Sequence, residues 1–277
     1  MTALVTVDWL KRKLSSDSLV LLYTRLANIS TGEIEPFENK VILGARLFDF
    51  ENEFCDRTSA LPHTMPDAEQ FTQQAQKLGI NKNSTIVIYD SQGLYASPRA
   101  WWMFKAMGHE TVFVLNGGLP AWRQKGNDVV SDLAYSVTQG DFIATPKTNL
   151  FADRQQVLDN IQTKQKQVLD ARSNARFLGN APEPRQGVRS GHIPNAKNLP
   201  FTDLIADGYL RNNKALRHTF NQVVANDSKL LMSCGSGVTA CILALAAIEL
   251  GYEDVAVYDG SWTEWGGDAS LPIETKE

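Results

Sequence analysis

The chain has 277 residues, 43% hydrophobic and 21% charged, with 27 basic residues against 31 acidic ones and a net charge of −4. That length accommodates two domains of ordinary size, and the composition is that of a globular rather than a disordered chain. With no basic excess and no block of like charge, neither a nucleic-acid partner nor a charged tail is expected.

In chain order, the opening MTALVTVDWLKRKLSSDS lacks the basic-then-apolar layout of a secretion leader, so none is expected. Apolar strands are predicted at Leu19–Leu22, Ile86–Tyr89 and Val112–Leu115. They lie in VLLYTR (20–25), TIVIYDSQGLYAS (85–97) and HETVFVLNGGLPAW (109–122), with KVILGAR at 40–46. After an irregular stretch, 131–150, the series returns as QVLDAR (167–172), GHIPNAK (191–197), KLLMSCGSGVTAC (229–241) and YEDVAVYDGSWTEW (252–265). Gly93, Ala96, Gly117 and Trp122 match Gly237, Ala240, Gly260 and Trp265. The second set of strands is predicted at Val168–Leu169, Leu230–Met232 and Val255–Tyr258. This is a tandem duplication, with domains expected at 1–135 and 150–277. Strands that are apolar throughout and alternate with helices predict an α/β fold, each domain a parallel sheet covered by helices on both faces. The longest apolar run, Ile242–Ile248, is too short to cross a bilayer, and no membrane association is expected.

Three scattered cysteines, Cys55, Cys234 and Cys241, do not make a disulfide framework and fit a reducing cytoplasm. Four separate histidines (His63, His109, His192, His218) carry no metal-ligand spacing, so no metal is expected. Cys234 stands apart from the other two thiols. It ends a strand, opens the loop Cys234-Gly235-Ser236-Gly237-Val238-Thr239, and precedes an apolar helix running from about Thr239 to Leu250. A helix N-terminus favours negative charge, and a thiol there can fall from a pKa of ~8.5 to roughly 3.5–7.5. The alternative is an inert, packed cysteine at a strand end. In the repeat alignment Asp90 holds the place of Cys234, so only the second half can use a thiol. A cysteine phosphatase needs an arginine six residues after the cysteine; here that residue is Ala240. What is left is an uncharged cradle of N–H groups, suited to the anionic outer sulfur of a persulfide.

The loop CGSGVTA, the repeat, and the segments SGHIPNAKNLP and DGSWTEWG resemble the tandem-domain rhodanese superfamily over essentially the whole chain. Within it the loop is similar to that of 3-mercaptopyruvate sulfurtransferases. Thiosulfate sulfurtransferases usually carry basic residues where this chain has Gly235 and Ser236. The resemblance implies that Arg176 and Arg185 hold the donor's carboxylate and carbonyl, as the planar guanidinium suits. It implies a relay of Ser236, His63 and Glu51 at the enolate step. It gives Gly235, Gly237, Val238 and Thr239 the role of a substrate and persulfide cradle. Arg172 and Arg189, in the same stretch, are expected instead to pair with Asp170, Glu183 or other carboxylates. Cys55 and Cys241 are expected to pack, and Trp262 to line the cleft.

The resemblance thus implies a cofactor-free sulfurtransferase with one site in the cleft between the domains. Sulfur would pass from 3-mercaptopyruvate through a Cys234 persulfide to cyanide, or to a small or protein thiol such as a thioredoxin, with release of pyruvate. Thiosulfate as donor is the same-fold alternative, and a non-catalytic rhodanese-like binding module is the alternative of a different class.

Overall fold

The computed structural model describes residues 2–26, 40–134 and 137–276. The expected domain limits at 1, 135 and 277, and Ser136 in the connecting stretch, lie outside them. Two compact units are present: Met1–Thr58, Met65–Lys147 and Asp207–Leu210 form one, and Ser59–Thr64, Thr148–Ala206 and Arg211–Glu277 the other.

The first unit has strands β1 (Leu4–Val5), β2 (Leu19–Tyr23), β3 (Arg46–Leu47), β4 (Thr85–Tyr89) and β5 (Val112–Leu115), and helices α1 (Val7–Lys13), α2 (Ala68–Lys77), α3 (Ser97–Ala106) and α4 (Gly118–Gln124). The second has β6 (Phe151–Ala152), β7 (Gln167–Asp170), β8 (Lys197–Asn198), the short strand β9 (Ile205–Ala206), β11 (Leu230–Ser233) and β12 (Val255–Tyr258), while the short strand β10 (Tyr209–Leu210) belongs to the first. Its helices are α5 (Arg154–Thr163), α6 (Asn174–Phe177), α7 (Asn213–Asn221), α8 (Ala240–Glu249) and α9 (Ser261–Gly267). The sheet orders are β1-β5-β4-β2-β3 and β6-β12-β11-β7-β8, one permutation used twice, with parallel pairing throughout. The duplication read from the sequence is therefore also a duplication of topology, and β4 and β11 are the central strands.

The central strands are buried because their residues offer no polar face. Ile86, Val87, Ile88 and Tyr89 are all buried, as are Leu230, Leu231 and Met232. Helix α8 is buried from Ala240 to Ala247. It is apolar all round, so it lies inside the fold rather than along its surface. Fully burying a side chain such as Leu243 or Leu245 stabilises by ~1.5–3 kcal/mol each, which holds the helix behind β11.

Helix starts divide into two kinds. Thr6, Asp67, Asp153 and Asn212 cap α1, α2, α5 and α7 with their own side chains. Helices α3 and α8, which follow the two central strands, have no such cap. In the first unit the gap is filled from the strand end. The Asp90 carboxylate accepts from the amides of Gln92 (2.9 Å), Tyr95 (2.9 Å), Ala96 (3.0 Å) and Ser97 (2.8 Å), and from the Ser97 hydroxyl (2.7 Å). It is 1% exposed. The chain bends around it through Gly93, at φ +103°, a backbone state open chiefly to glycine. This is an anion nest supplied with its own anion.

Removing that anion leaves several buried amides without an acceptor. We expect Asp90→Ala to lower stability by about 3 kcal/mol, read from the urea midpoint, with Asp90→Asn recovering part of the loss through its remaining oxygen. A loss below about 1 kcal/mol for the alanine variant would show that the nest is not what holds this loop.

Candidate functional site

Strand β11 delivers Cys234 to its C-terminal edge, where ligands of parallel α/β sheets bind. The repeat places the amides of Ser236, Thr239 and Ala240 where the first unit has Gln92, Tyr95 and Ala96. Gly237, at φ +75°, makes the same bend as Gly93. In the repeat, Cys234 holds the position whose side chain in the first unit is the Asp90 carboxylate. One amide differs: Cys241 N donates to Val238 O (3.0 Å), and its thiol to Gly237 O (3.3 Å), where Ser97 uses both groups on the carboxylate.

The backbone of the Cys234 loop is held from α9. The amides of Trp262 and Thr263 donate to the carbonyls of Cys234 and Gly235, both at 2.9 Å. The Thr263 hydroxyl also donates to Gly235 O at 2.6 Å. Helix α9 thereby finds acceptors for its first N–H groups in the loop itself. The Cys234 amide donates to Ser261 Oγ (3.1 Å), which in turn donates to Tyr258 O (2.9 Å). Ser261 lies at φ +49°, and its counterpart in the first repeat is Gly118, at φ +53°. A serine kept in a glycine conformation, with its hydroxyl on the cysteine amide, marks a position where strain is tolerated for a contact.

Ser236 is buried, and its hydroxyl lies 3.1 Å from His63 Nδ1. His63 belongs to Ser59–Thr64, which packs with the second unit although its sequence neighbours do not. It too has a left-handed backbone, at φ +60°. Glu51 is an exposed residue of the first unit, in the turn closed by Asp49, and its carbonyl accepts from Cys55 Sγ at 2.9 Å. Burial, followed by the Asp49 charge, pushes the Cys55 thiol pKa up. Cys55 and Cys241 are both buried and free of disulfides.

The four arginines of 171–195 separate by environment. Arg172 is buried against Trp262, its guanidinium carbon 4.4 Å from the ring centroid. It donates to Asp170 from Nε (3.0 Å) and to Glu183 from Nη1 (2.8 Å). Burial opposes its charge, but the two carboxylates outweigh burial and hold its pKa above the ordinary arginine value. Arg189 donates to the carbonyls of Gly266 (3.1 Å), Trp265 (3.3 Å) and Leu271 (3.1 Å), and also to Asp268 O, closing the C-terminal end of α9. Arg176 donates through Nε and Nη2 to Glu183. Its Nη2 lies 3.4 Å from where a Cβ on Gly235 would be. Arg185 reaches Thr263 Oγ1 at 3.3 Å and lines a surface cavity of about 670 Å³ with Pro62 and Thr263. Trp262, expected at a cleft wall, is instead fully buried with Nε1 on Arg189 O (2.8 Å). A groove of about 820 Å³ opens by the N-terminal end of β7, around Lys166, Lys197 and Lys229, away from the strand end that carries Cys234.

Sequence reasoning named Glu183 as an arginine partner, and Arg172 does pair with it, but it missed Ser261 and Thr263 as parts of this neighbourhood. The signal for Ser261 was present: it is the serine facing Gly118 in the repeat. For Thr263 no periodicity marks the position.

The rhodanese-like domain model matches residues 6–125 and 153–268. The 3-mercaptopyruvate sulfurtransferase of Escherichia coli K12 is 36% identical over 277 residues, covering 99% of this chain and 98% of that protein. The mitochondrial thiosulfate/3-mercaptopyruvate sulfurtransferase 1 of Arabidopsis thaliana is 38% identical over 297 residues, covering 99% and 78%. The crystal structure of SseA from Escherichia coli superposes with a TM-score of 0.83 at 33% identity, covering 95% of this chain and 99% of that one.

Ser261 carries a clean test. Ser261→Ala and Ser261→Gly both remove the acceptor of the Cys234 amide, but only glycine relieves the left-handed backbone. Both are expected to be less stable than wild type, with the glycine variant the more stable of the two by about 1 kcal/mol in urea unfolding. An alanine variant as stable as the glycine one would remove strain from the account.

Proposed function

The chain belongs to the rhodanese-like domain family, carries two tandem copies of that domain and is a sulfurtransferase; from this premise we propose that it moves the sulfur of 3-mercaptopyruvate through a persulfide on Cys234. The observation that carries the reading is the exchange of Asp90 for Cys234 in a loop whose Gly93 and Ala96 recur as Gly237 and Ala240. A fold that closes this nest with a carboxylate in one domain offers an anion site to the sulfur in the other. The second domain, 150–277, is the catalytic one, and the first, 1–135, keeps the scaffold without the nucleophile.

The Cys234 thiolate attacks the donor sulfur, forming an S–S bond as the C–S bond breaks. The electron pair leaves with pyruvate as its enolate, which takes up a proton to give pyruvate, and the enzyme keeps Cys234–S–SH. The amides of the Gly235–Thr239 loop receive the outer sulfur. Ser236 stands two residues from the nucleophile, and its hydroxyl, held by His63, is the group we assign to the enolate proton. Glu51 is the remaining member of the proposed relay. An acceptor nucleophile, cyanide or a small or protein thiol of the thioredoxin kind, then attacks the outer sulfur and regenerates the thiolate. Glu183 occupies the Nε–Nη2 edge of Arg176 and leaves the Nη1 side for the donor carboxylate. Arg185 is the second arginine of the clamp. Three unpaired thiols suit a reducing compartment, and we place the enzyme in the cytoplasm. Among the described residues no helix is long and apolar enough to cross a membrane.

Loop charge sets the donor. No lysine or arginine lies between Cys234 and Ala240, so a thiosulfate dianion meets N–H dipoles there but no full positive charge. Mercaptopyruvate puts its one carboxylate on the arginines. We expect kcat/KM for mercaptopyruvate to exceed that for thiosulfate by at least about tenfold, with cyanide as acceptor. A wild-type preference for thiosulfate would replace this reading by the other donor.

Cys234→Ser should abolish transfer by both donors, while Cys55→Ser and Cys241→Ser keep most activity. Mass spectrometry after donor treatment should find one added sulfur, on the Cys234 peptide; finding it on Cys55 would sink the assignment.

Arg176→Lys and Arg185→Lys keep the charge and lose the planar fork. Each should cost roughly 10- to 150-fold in kcat/KM for mercaptopyruvate, the equivalent of a charge-assisted hydrogen bond. Wild-type kinetics in both would contradict the clamp.

A further inference from the structure

Arg176 ends a chain of alternating charge. Asp170 closes β7, directly across from Ser233 and beside the nucleophile's strand end. Arg172 bonds Asp170 and Glu183, and Glu183 bonds Arg176. The side chains of Asp170 and Arg172 are 1% exposed, that of Glu183 3% and that of Arg176 18%. These four charges cancel. From Asp170 to Arg185 the sequence therefore carries one net positive charge, that of Arg185.

We infer that Glu183 is a specificity-determining residue, whose carboxylate cancels the charge of Arg176 so that the clamp suits a donor with one negative charge and disfavours one with two. The inference rests on the reading that Arg176 holds the donor. Its physical basis is that the gain of an anion from a nearby charge scales with the anion's own charge. Buried and touching Arg176, the Glu183 carboxylate is poorly screened by salt. Its removal should favour both donors electrostatically, but the thiosulfate dianion about twice as strongly. The bare loop and the compensated arginine then act in the same direction. Gly235 places no positive charge at the sulfur, and Glu183 removes one where the carboxylate binds.

Glu183 also positions Arg176, so the test has to separate charge from geometry. Glutamine keeps the shape and one acceptor oxygen but not the charge, whereas aspartate keeps the charge on a shorter arm. We would measure kcat/KM for mercaptopyruvate and for thiosulfate, with cyanide, in the wild-type chain, Glu183→Gln and Glu183→Asp. Both constants come from one preparation, so the active fraction cancels from their ratio and a partly unfolded variant still reports. The wild-type ratio tests the donor reading by itself. Given a wild-type preference for mercaptopyruvate, Glu183→Gln should shift the ratio toward thiosulfate by about tenfold, equal to ~1.4 kcal/mol. Glu183→Asp should stay within about threefold of wild type, whatever it loses in absolute rate. A Glu183→Gln ratio unchanged from wild type, or an aspartate variant that shifts as far as glutamine, would overturn the inference. Should Glu183→Gln yield no folded protein, the aspartate ratio decides alone: near wild type upholds the charge account, and a tenfold shift defeats it.

Discussion

The constraint on which the rest depends is the acceptor requirement at the start of the helix behind each central strand. Helices α3 and α8 are buried and begin without a capping side chain of their own. The first amides of α3 turn back toward the strand end they have just left. Buried amides left without an acceptor are costly, and the helix dipole adds a preference for negative charge. The first unit answers with Asp90. In the second, the repeat puts Cys234 at the corresponding position. Sheet order, the left-handed glycines at 93 and 237, and the packing of α9 on the loop all serve to hold that arrangement.

Around this cradle the charges are arranged economically. The Cys234–Ala240 loop carries none. The arginines of the neighbouring stretch do different work although they look alike in sequence. Arg172 is a buried strut over Trp262, Arg189 closes the end of α9, and Arg176 and Arg185 are the two nearest the loop and the adjoining cavity. Carboxylates decide the difference: Glu183 couples Arg172 to Arg176, while Arg189 donates to backbone carbonyls at the end of α9. A guanidinium with carbonyl partners caps a helix; one facing a loop without charged side chains can take an outside anion.

Much of this was legible in the sequence because the repeat made it so. Two halves aligned over strands and glycines disclosed the parallel sheets, and the pairing of Asp90 with Cys234 isolated the one thiol at a strand end. Periodic signals fail where the chain is irregular. Glu183 lies between Pro182 and Pro184, and its partners are eleven and seven residues upstream, Arg172 and Arg176, with no period to announce them. His63 reaches Ser236 across 173 residues of sequence. Trp262 resembled a cleft residue only because aromatic rings look alike in a string; its burial follows from the Arg172 guanidinium stacked on it. Its hydrogen bond to Arg189 O adds a second tie.

The nest around Asp90 has one more implication. The first unit receives its anion from translation and is chemically finished when it folds. On the proposed chemistry the second holds a bare thiolate at rest; the outer sulfur that fills its loop comes only when a donor delivers it, and leaves at every turnover. The persulfide is then a part of the fold as much as an intermediate. A sulfur-loaded enzyme should melt later than the same enzyme stripped by cyanide, and the difference should reside in one half of a molecule whose two halves are otherwise built alike.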